Sequence, residues 1–132
     1  MSIKEMISEH PQVGADFNEP LAEAVKHAMY CAAICNSCAD ACSAEEADMH
    51  RCIRLCSDCS DICEATYRVA SRRTSGNVTV IKSILQTCIE VCETCAAECE
   101  KHDNPHCRRC ATMCRECAGD CRKALDTMNA HA

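Results

Sequence analysis

Polar and apolar positions between residues 18 and 128 recur in steps of three and four, and nowhere do they alternate as a strand requires. Asn18 with Pro20 marks a helix start, because proline is tolerated in a first turn whose N–H groups have no helical partner. That helix runs to about Ser43. The stretch Ser43-Ala44-Glu45-Glu46-Ala47 turns the chain into a second helix that reaches about Arg73. Thr74-Ser75-Gly76-Asn77 is the clearest break, since Gly and Asn accept the left-handed backbone of a helix end. A third helix follows from Val78 to about Lys101, and His102-Asp103-Asn104-Pro105 leads into a fourth that ends near Met128. Four long helices with short connections predict an all-α, antiparallel up-down four-helix bundle. Residues 1–17, broken near Pro11 and Gly14, read as a short N-terminal helix or arm, and 18–132 as the bundle domain.

The seam of each predicted helix is made of cysteine. The first carries Cys31, Cys35, Cys38 and Cys42, the second Cys52, Cys56, Cys59 and Cys63, and the third Cys88, Cys92, Cys95 and Cys99. All three read C-x3-C-x2-C-x3-C. The fourth holds Cys107, Cys110, Cys114, Cys117 and Cys121, the same rhythm preceded by one extra step of three. Steps of three and four keep side chains on one face with the 3.5-residue mean period of a bundle seam. The pattern predicts a cysteine-lined core of about four layers of four, with one cysteine left at an end.

Composition strengthens this reading. Leu, Ile, Val and Phe total only 19 of 132 residues, there is no Trp, and Phe17, Tyr30 and Tyr67 are the aromatics. So few core formers would normally suggest disorder, unless cysteine, a small and readily buried side chain, fills the interior. The formal charge of −6, with both signs interspersed, excludes the basic stripe of a nucleic-acid binder. No run approaches a membrane span, and the N-terminus has neither a signal-length apolar run nor paired arginines. Cytosolic placement follows as the expectation, and an odd count of 17 cysteines suits free thiols better than a closed disulfide set.

A cysteine core admits four readings. Plain packing is the blandest, but Ala, Leu or Val would pack as well without the oxidation hazard. Disulfides within a helix are strained, because (i, i+4) Cβ atoms lie about 5–6 Å apart and a bridge needs roughly 3.5–4.5 Å; bridges between helices stay open. Iron–sulfur binding or a redox role is the third, although ferredoxin spacing places its ligands on loops. The fourth is a thiolate store, and charge selects its metal. Four tetrahedral zinc ions would leave roughly nine uncompensated charges on the thiolates, which is costly to bury. Cu(I) with bridging thiolates tends to one ion per cysteine and a neutral core, and a linear S–Cu–S unit spans a little over ~4 Å, within reach of an (i, i+4) pair. Cu(I) is the cargo this argument favours, with a zinc-thiolate store or an iron–sulfur or disulfide electron carrier as alternatives. No phosphate loop, open metal site or isolated nucleophile–base pair points to an enzyme.

The two ends of the seams differ. At one, Leu21, Ala24, Ala28, Thr66, Ala70, Val78, Ile81, Leu85, Ala124 and Met128 form an apolar plug. At the other, Met49 and His102 extend the seams, with His106, His50 and Met113 close by. Thioether and imidazole are exchangeable copper ligands, so Met49, His102 and His106 are candidate ligands at a mouth. The plain alternative is that they are exposed loop residues. His10, His27 and His131 lie off the seams and are expected to face solvent.

These four cysteine blocks, with the segment Cys99-Glu100-Lys101-His102-Asp103-Asn104-Pro105-His106-Cys107, resemble the bacterial copper storage proteins, particularly their cytosolic branch. The resemblance covers about residues 20–128. It implies a homotetramer of four-helix bundles, each holding many Cu(I) ions, with a copper chaperone or a copper-requiring client as the partner class. It also implies that the C-x3-C pairs are the binding units: Cys31/Cys35, Cys38/Cys42, Cys52/Cys56, Cys59/Cys63, Cys88/Cys92, Cys95/Cys99, Cys110/Cys114 and Cys117/Cys121, with Cys107 extra.

Overall fold

The computed structural model describes residues 1–130, and His131 lies outside them. A short helix, α1 (Ile3–Ser8), precedes four long ones: α2 (Glu19–Ser43), α3 (His50–Ala70), α4 (Val78–Cys99) and α5 (Pro105–Ala130). No strand occurs among the described residues. Each start has a local cause. Ser2 caps α1 by accepting a hydrogen bond from the Glu5 N–H. Asn18 sits at φ 54° and its Oδ1 accepts from the Leu21 N–H at 3.1 Å, so a residue tolerant of left-handed backbone opens α2. Ser75 and Gly76 both take positive φ and reverse the chain between α3 and α4.

α2 packs on α3 and α5, and α4 packs on the same two. Diagonal helices meet through sulfur, as in Cys56 with Cys110 at 3.9 Å and Cys59 with Cys114 at 3.9 Å. Cysteine is thus the filling that sets the bundle's girth, and longer aliphatic side chains at these positions would push the helices apart.

The base is packed conventionally. Leu21, Ala24, Ala28, Thr66, Ala70, Ile81, Leu85 and Ala124 are buried, and the Thr66 hydroxyl donates to the Ile62 carbonyl at 2.7 Å. Val25 and Ile89, which lie off the cysteine seams, are buried as well. Val78 departs from the expected plug: as the first residue of α4 it is 46 % exposed. The segment that includes α1 folds over this end. Ile7 and Val13 are buried, Lys4 bonds Glu19 and reaches Glu23 at 2.8 Å, and His10 meets the Thr74 hydroxyl at 3.0 Å. The Arg73 guanidinium donates to the Phe17 carbonyl at 2.9 Å and the Ala70 carbonyl at 3.3 Å, which explains why α3 stops before it.

Candidate metal site

All seventeen cysteines are free and buried. Their close Sγ–Sγ separations run from 3.5 Å (Cys35–Cys114) to 4.0 Å (Cys88–Cys117), far from the ~2.05 Å of a disulfide. The (i, i+4) pairs Cys31–Cys35 (3.7 Å), Cys52–Cys56 (3.9 Å) and Cys59–Cys63 (3.9 Å) show that the helical step already brings sulfurs near metal-bridging range.

The sulfurs form one connected column. From Cys107 it passes through Cys42, Cys52, Cys56, Cys110, Cys35, Cys114, Cys59, Cys92, Cys63 and Cys88 to Cys117, and no step exceeds 4.0 Å. Cys99, Cys95, Cys38, Cys31 and Cys121 flank it; Cys99 lies 3.7 Å from both Cys52 and Cys56, and Cys95 3.7 Å from Cys56. Groups of four have their sulfurs within 4.8 Å of one another: Cys31, Cys59, Cys63, Cys92; Cys31, Cys35, Cys59, Cys114; Cys35, Cys95, Cys110, Cys114; and Cys38, Cys56, Cys99, Cys110. Zinc–sulfur bonds of ~2.3 Å would place tetrahedral ligands ~3.8 Å apart, so spacing alone does not choose the metal. Sharing does. Cys31, Cys35, Cys59, Cys110 and Cys114 each belong to two of these groups, so they cannot all be filled as separate four-thiolate zinc centres. Bridging thiolates and a neutral core suit Cu(I).

At the far end from the plug, His106 joins the sulfurs. Its Nδ1 lies 3.3 Å from Cys38 and 3.6 Å from Cys107, and Cys38, Cys42, His106 and Cys107 form a further group within 4.8 Å. Its other nitrogen stands 3.5 Å from a Glu45 carboxylate oxygen. The neighbouring sulfur of Cys110, then that of Cys56, with a smaller part from His106, draw the Cys38 thiol down to about 6. Hydrogen bonding to Cys38 in turn raises His106. Burial pushes Cys52 up to about 12 and also raises Cys42 and Cys107. Cys38 is therefore drawn toward its thiolate form at the place where the column meets the loops of the mouth.

The other mouth candidates separate. Met49 is buried at the N-cap of α3. His102 turns to the Glu98 carboxylate, Nε2 to Oε2 at 2.9 Å, instead of to a sulfur. His50 is fully exposed beside Asp48, and Met113 lines a surface groove with Ile34 and Thr112.

Two further residues depart from what the sequence pattern predicts. Glu98 is 7 % exposed and is also approached by Arg51 and Lys101, each at 3.4 Å. Burial acts to raise its pKa, but the His102 hydrogen bond and the Lys101 charge together hold it below the usual carboxylate value. His27, expected to face solvent, is only 15 % exposed, because Asp120 and Glu116 of α5 close over it.

Comparison with known proteins agrees with this geometry. Residues 17–126 match the family model described as copper storage protein. The chain is 37 % identical to the copper storage protein Ccsp of Streptomyces lividans, solved with 10 copper equivalents, at a TM-score of 0.89 over 95 % of this chain and 98 % of that one. A five-copper structure of a cytosolic copper storage protein from the same organism gives 40 % identity and 0.81, over 86 % and 98 %. Apo copper storage protein 3 of Bacillus subtilis gives 33 % and 0.71, over 78 % and 96 %.

Proposed function

This chain belongs to the copper storage protein family, and on that premise we propose that it takes up many Cu(I) ions on bridging thiolates inside the bundle. The observation that carries the reading is the connected column of overlapping sulfur groups, which offers no boundary at which a small, discrete metal centre would end. The ligands we assign are Cys31, Cys35, Cys38, Cys42, Cys52, Cys56, Cys59, Cys63, Cys88, Cys92, Cys95, Cys99, Cys107, Cys110, Cys114, Cys117 and Cys121. Loading begins at His106 and Cys38, with Met49 and His102 as accessory groups. Binding and release without turnover constitute the proposed chemistry, and buffering and detoxification of copper the proposed role.

The finer assignments rest on likeness. A cytosolic setting is supported by the relative described as cytosolic and by free thiols; no described helix is long and apolar enough to cross a membrane. A homotetramer, and a copper chaperone or copper-requiring client as partner, are proposed from the family resemblance. The deciding experiment is an anaerobic titration of reduced protein with Cu(I), counting metal and thiol on one sample. Saturation near one copper per cysteine is expected. Saturation near one metal per four cysteines would sink the copper reading and favour zinc.

A further inference from the structure

The group at the mouth differs in kind from the all-sulfur groups beneath it. Cys38, Cys42 and Cys107 converge there with one imidazole, His106, and the four donor atoms lie within 4.8 Å of one another. Cys38 and Cys42 come from the last turns of α2, and His106 and Cys107 from the first turn of α5, so the group joins two helices. Cys42, His106 and Cys107 belong to none of the four all-sulfur groups described above, and Cys38 belongs to one. The ring makes its hydrogen-bond contacts with sulfur. Its Nδ1 stands 3.3 Å from Cys38 and 3.6 Å from Cys107, while its Nε2 is buried without a hydrogen-bond partner.

Spacing and charge decide what such a quartet holds best. Around a tetrahedral zinc ion, sulfurs bonded at ~2.3 Å sit ~3.8 Å apart, and a sulfur and an imidazole nitrogen sit roughly 3.5 Å apart. Cys38–Cys42 and Cys42–Cys107 are each 4.0 Å, and the two sulfur–nitrogen distances bracket the second value. Four of the six edges are therefore close to those of a zinc tetrahedron. Three thiolates and a neutral imidazole keep one negative charge around a divalent cation and two around a single Cu(I). A lone Cu(I) is the poorer occupant, because it reaches neutrality only by bridging onward to further sulfurs. Three cysteines with one histidine are also a structural zinc donor set.

Resting on the storage reading, we propose that Cys38, Cys42, Cys107 and His106 form a site for one divalent cation of the zinc type, which closes the mouth until Cu(I) displaces it. The sulfur column begins at Cys107 and Cys42, so an ion held there stands at the head of the path into the core. Displacement is an exchange without oxidation or reduction. The zinc–sulfur and zinc–nitrogen bonds break, Zn²⁺ leaves to water or a chelator, and the same thiolates bridge Cu(I). It runs forward because bridging Cu(I) removes the charge that zinc leaves on the thiolates. Filling then starts only when Cu(I) competes with the ion at the mouth.

The test adds zinc chloride to the reduced full chain under anaerobic conditions, with free zinc set by a chromophoric chelator. A first equivalent should bind tightly, and X-ray absorption of the one-zinc protein should show three sulfurs and one nitrogen. His106→Ala should remove the nitrogen and Cys107→Ser one sulfur, each weakening the first equivalent on the order of tenfold or more. His27→Gln, on α2 but toward the base, should do neither. Circular dichroism checks that each variant keeps its helices. Cu(I) added to the one-zinc protein should release the zinc before copper saturates. No tight zinc, a first zinc held by four sulfurs, or one indifferent to both His106→Ala and Cys107→Ser would overturn the site. Zinc retained at copper saturation would overturn the closure. Failure of Cu(I) to bind would instead count against the storage reading, and the zinc spectrum would still report on the quartet.

Discussion

The two ends of the bundle are built from the same four seams and behave as opposites. At the base the seams carry Leu21, Ile81, Leu85 and Ala124, and the N-terminal segment lies across them with Ile7 and Val13 buried. At the mouth they end in His106, His102 and Met49, held by Glu45, Glu98 and the loops from 44 to 49 and 100 to 104. The helices between are continuous, so the backbone does not create the difference. Side-chain chemistry at the last two turns of each seam does, closing one end with apolar contacts and lining the other with imidazole and thioether groups.

The strongest way to break the comparison is at the base. Leu85 is fully buried there, and Leu85→Ala should cost about 2–5 kcal/mol, read by chemical denaturation of the apo protein. Copper capacity should not change; a fall in capacity in the folded variant would mean that the base is part of the store. At the mouth the expectation reverses. His106→Ala should leave stability nearly unchanged and slow Cu(I) loading on the order of tenfold, the effect of losing one contact worth ~1.4 kcal/mol in the transition state. Stopped-flow loading with a Cu(I) chelate donor measures it, and an unaltered rate removes His106 from the loading path. His102→Ala should slow loading less, because the ring is already held by Glu98 at 2.9 Å.

The smallest effect concerns the segment over the base. Lys4 holds the Glu23 carboxyl below its ordinary value, and the hydrogen bonds to Glu19 and Glu23 raise Lys4. A depressed carboxylate contributes stability above its unfolded value near ~4.3, lost as pH falls through the lower folded value; a raised lysine contributes below ~10.4, lost as pH rises through the higher one. Docking of residues 1–17 should therefore be flat between these limits and loosen beyond either. Limited proteolysis across pH, with Lys4→Ala as the reference, reads it. A native pH profile matching that of the variant would remove the ion pair from docking.

The bundle was legible because cysteine marks the seam without ambiguity and Gly76 marks the sharpest turn. The chain ends α3 at Ala70, three residues before the expected boundary, because the Arg73 side chain bonds the Phe17 carbonyl from another segment, and no local signal announces that. Of the mouth candidates, His106 reaches sulfur and His102 does not, since Glu98 lies one turn before His102 on the same side of α4. Read along the chain, Glu98 is one more polar residue beside Cys99. The cation it meets from α3, Arg51, lies more than forty positions away in sequence. The cover of His27 is hidden for the same reason: it comes from Asp120 and Glu116, about ninety positions away in sequence.

The burial of Cys42, Cys52 and Cys107, which raises their thiol pKa, has a consequence for exchange with the medium. A thiol that holds its hydrogen at neutral pH must release it when Cu(I) binds, so each such ion taken up sends one hydrogen ion out. At these three positions the charge is then the same empty or full. The bundle then works as a cation-exchange resin of fixed capacity. Uptake acidifies a weakly buffered solution in proportion to loading, and acid is the eluent that drives the metal back out.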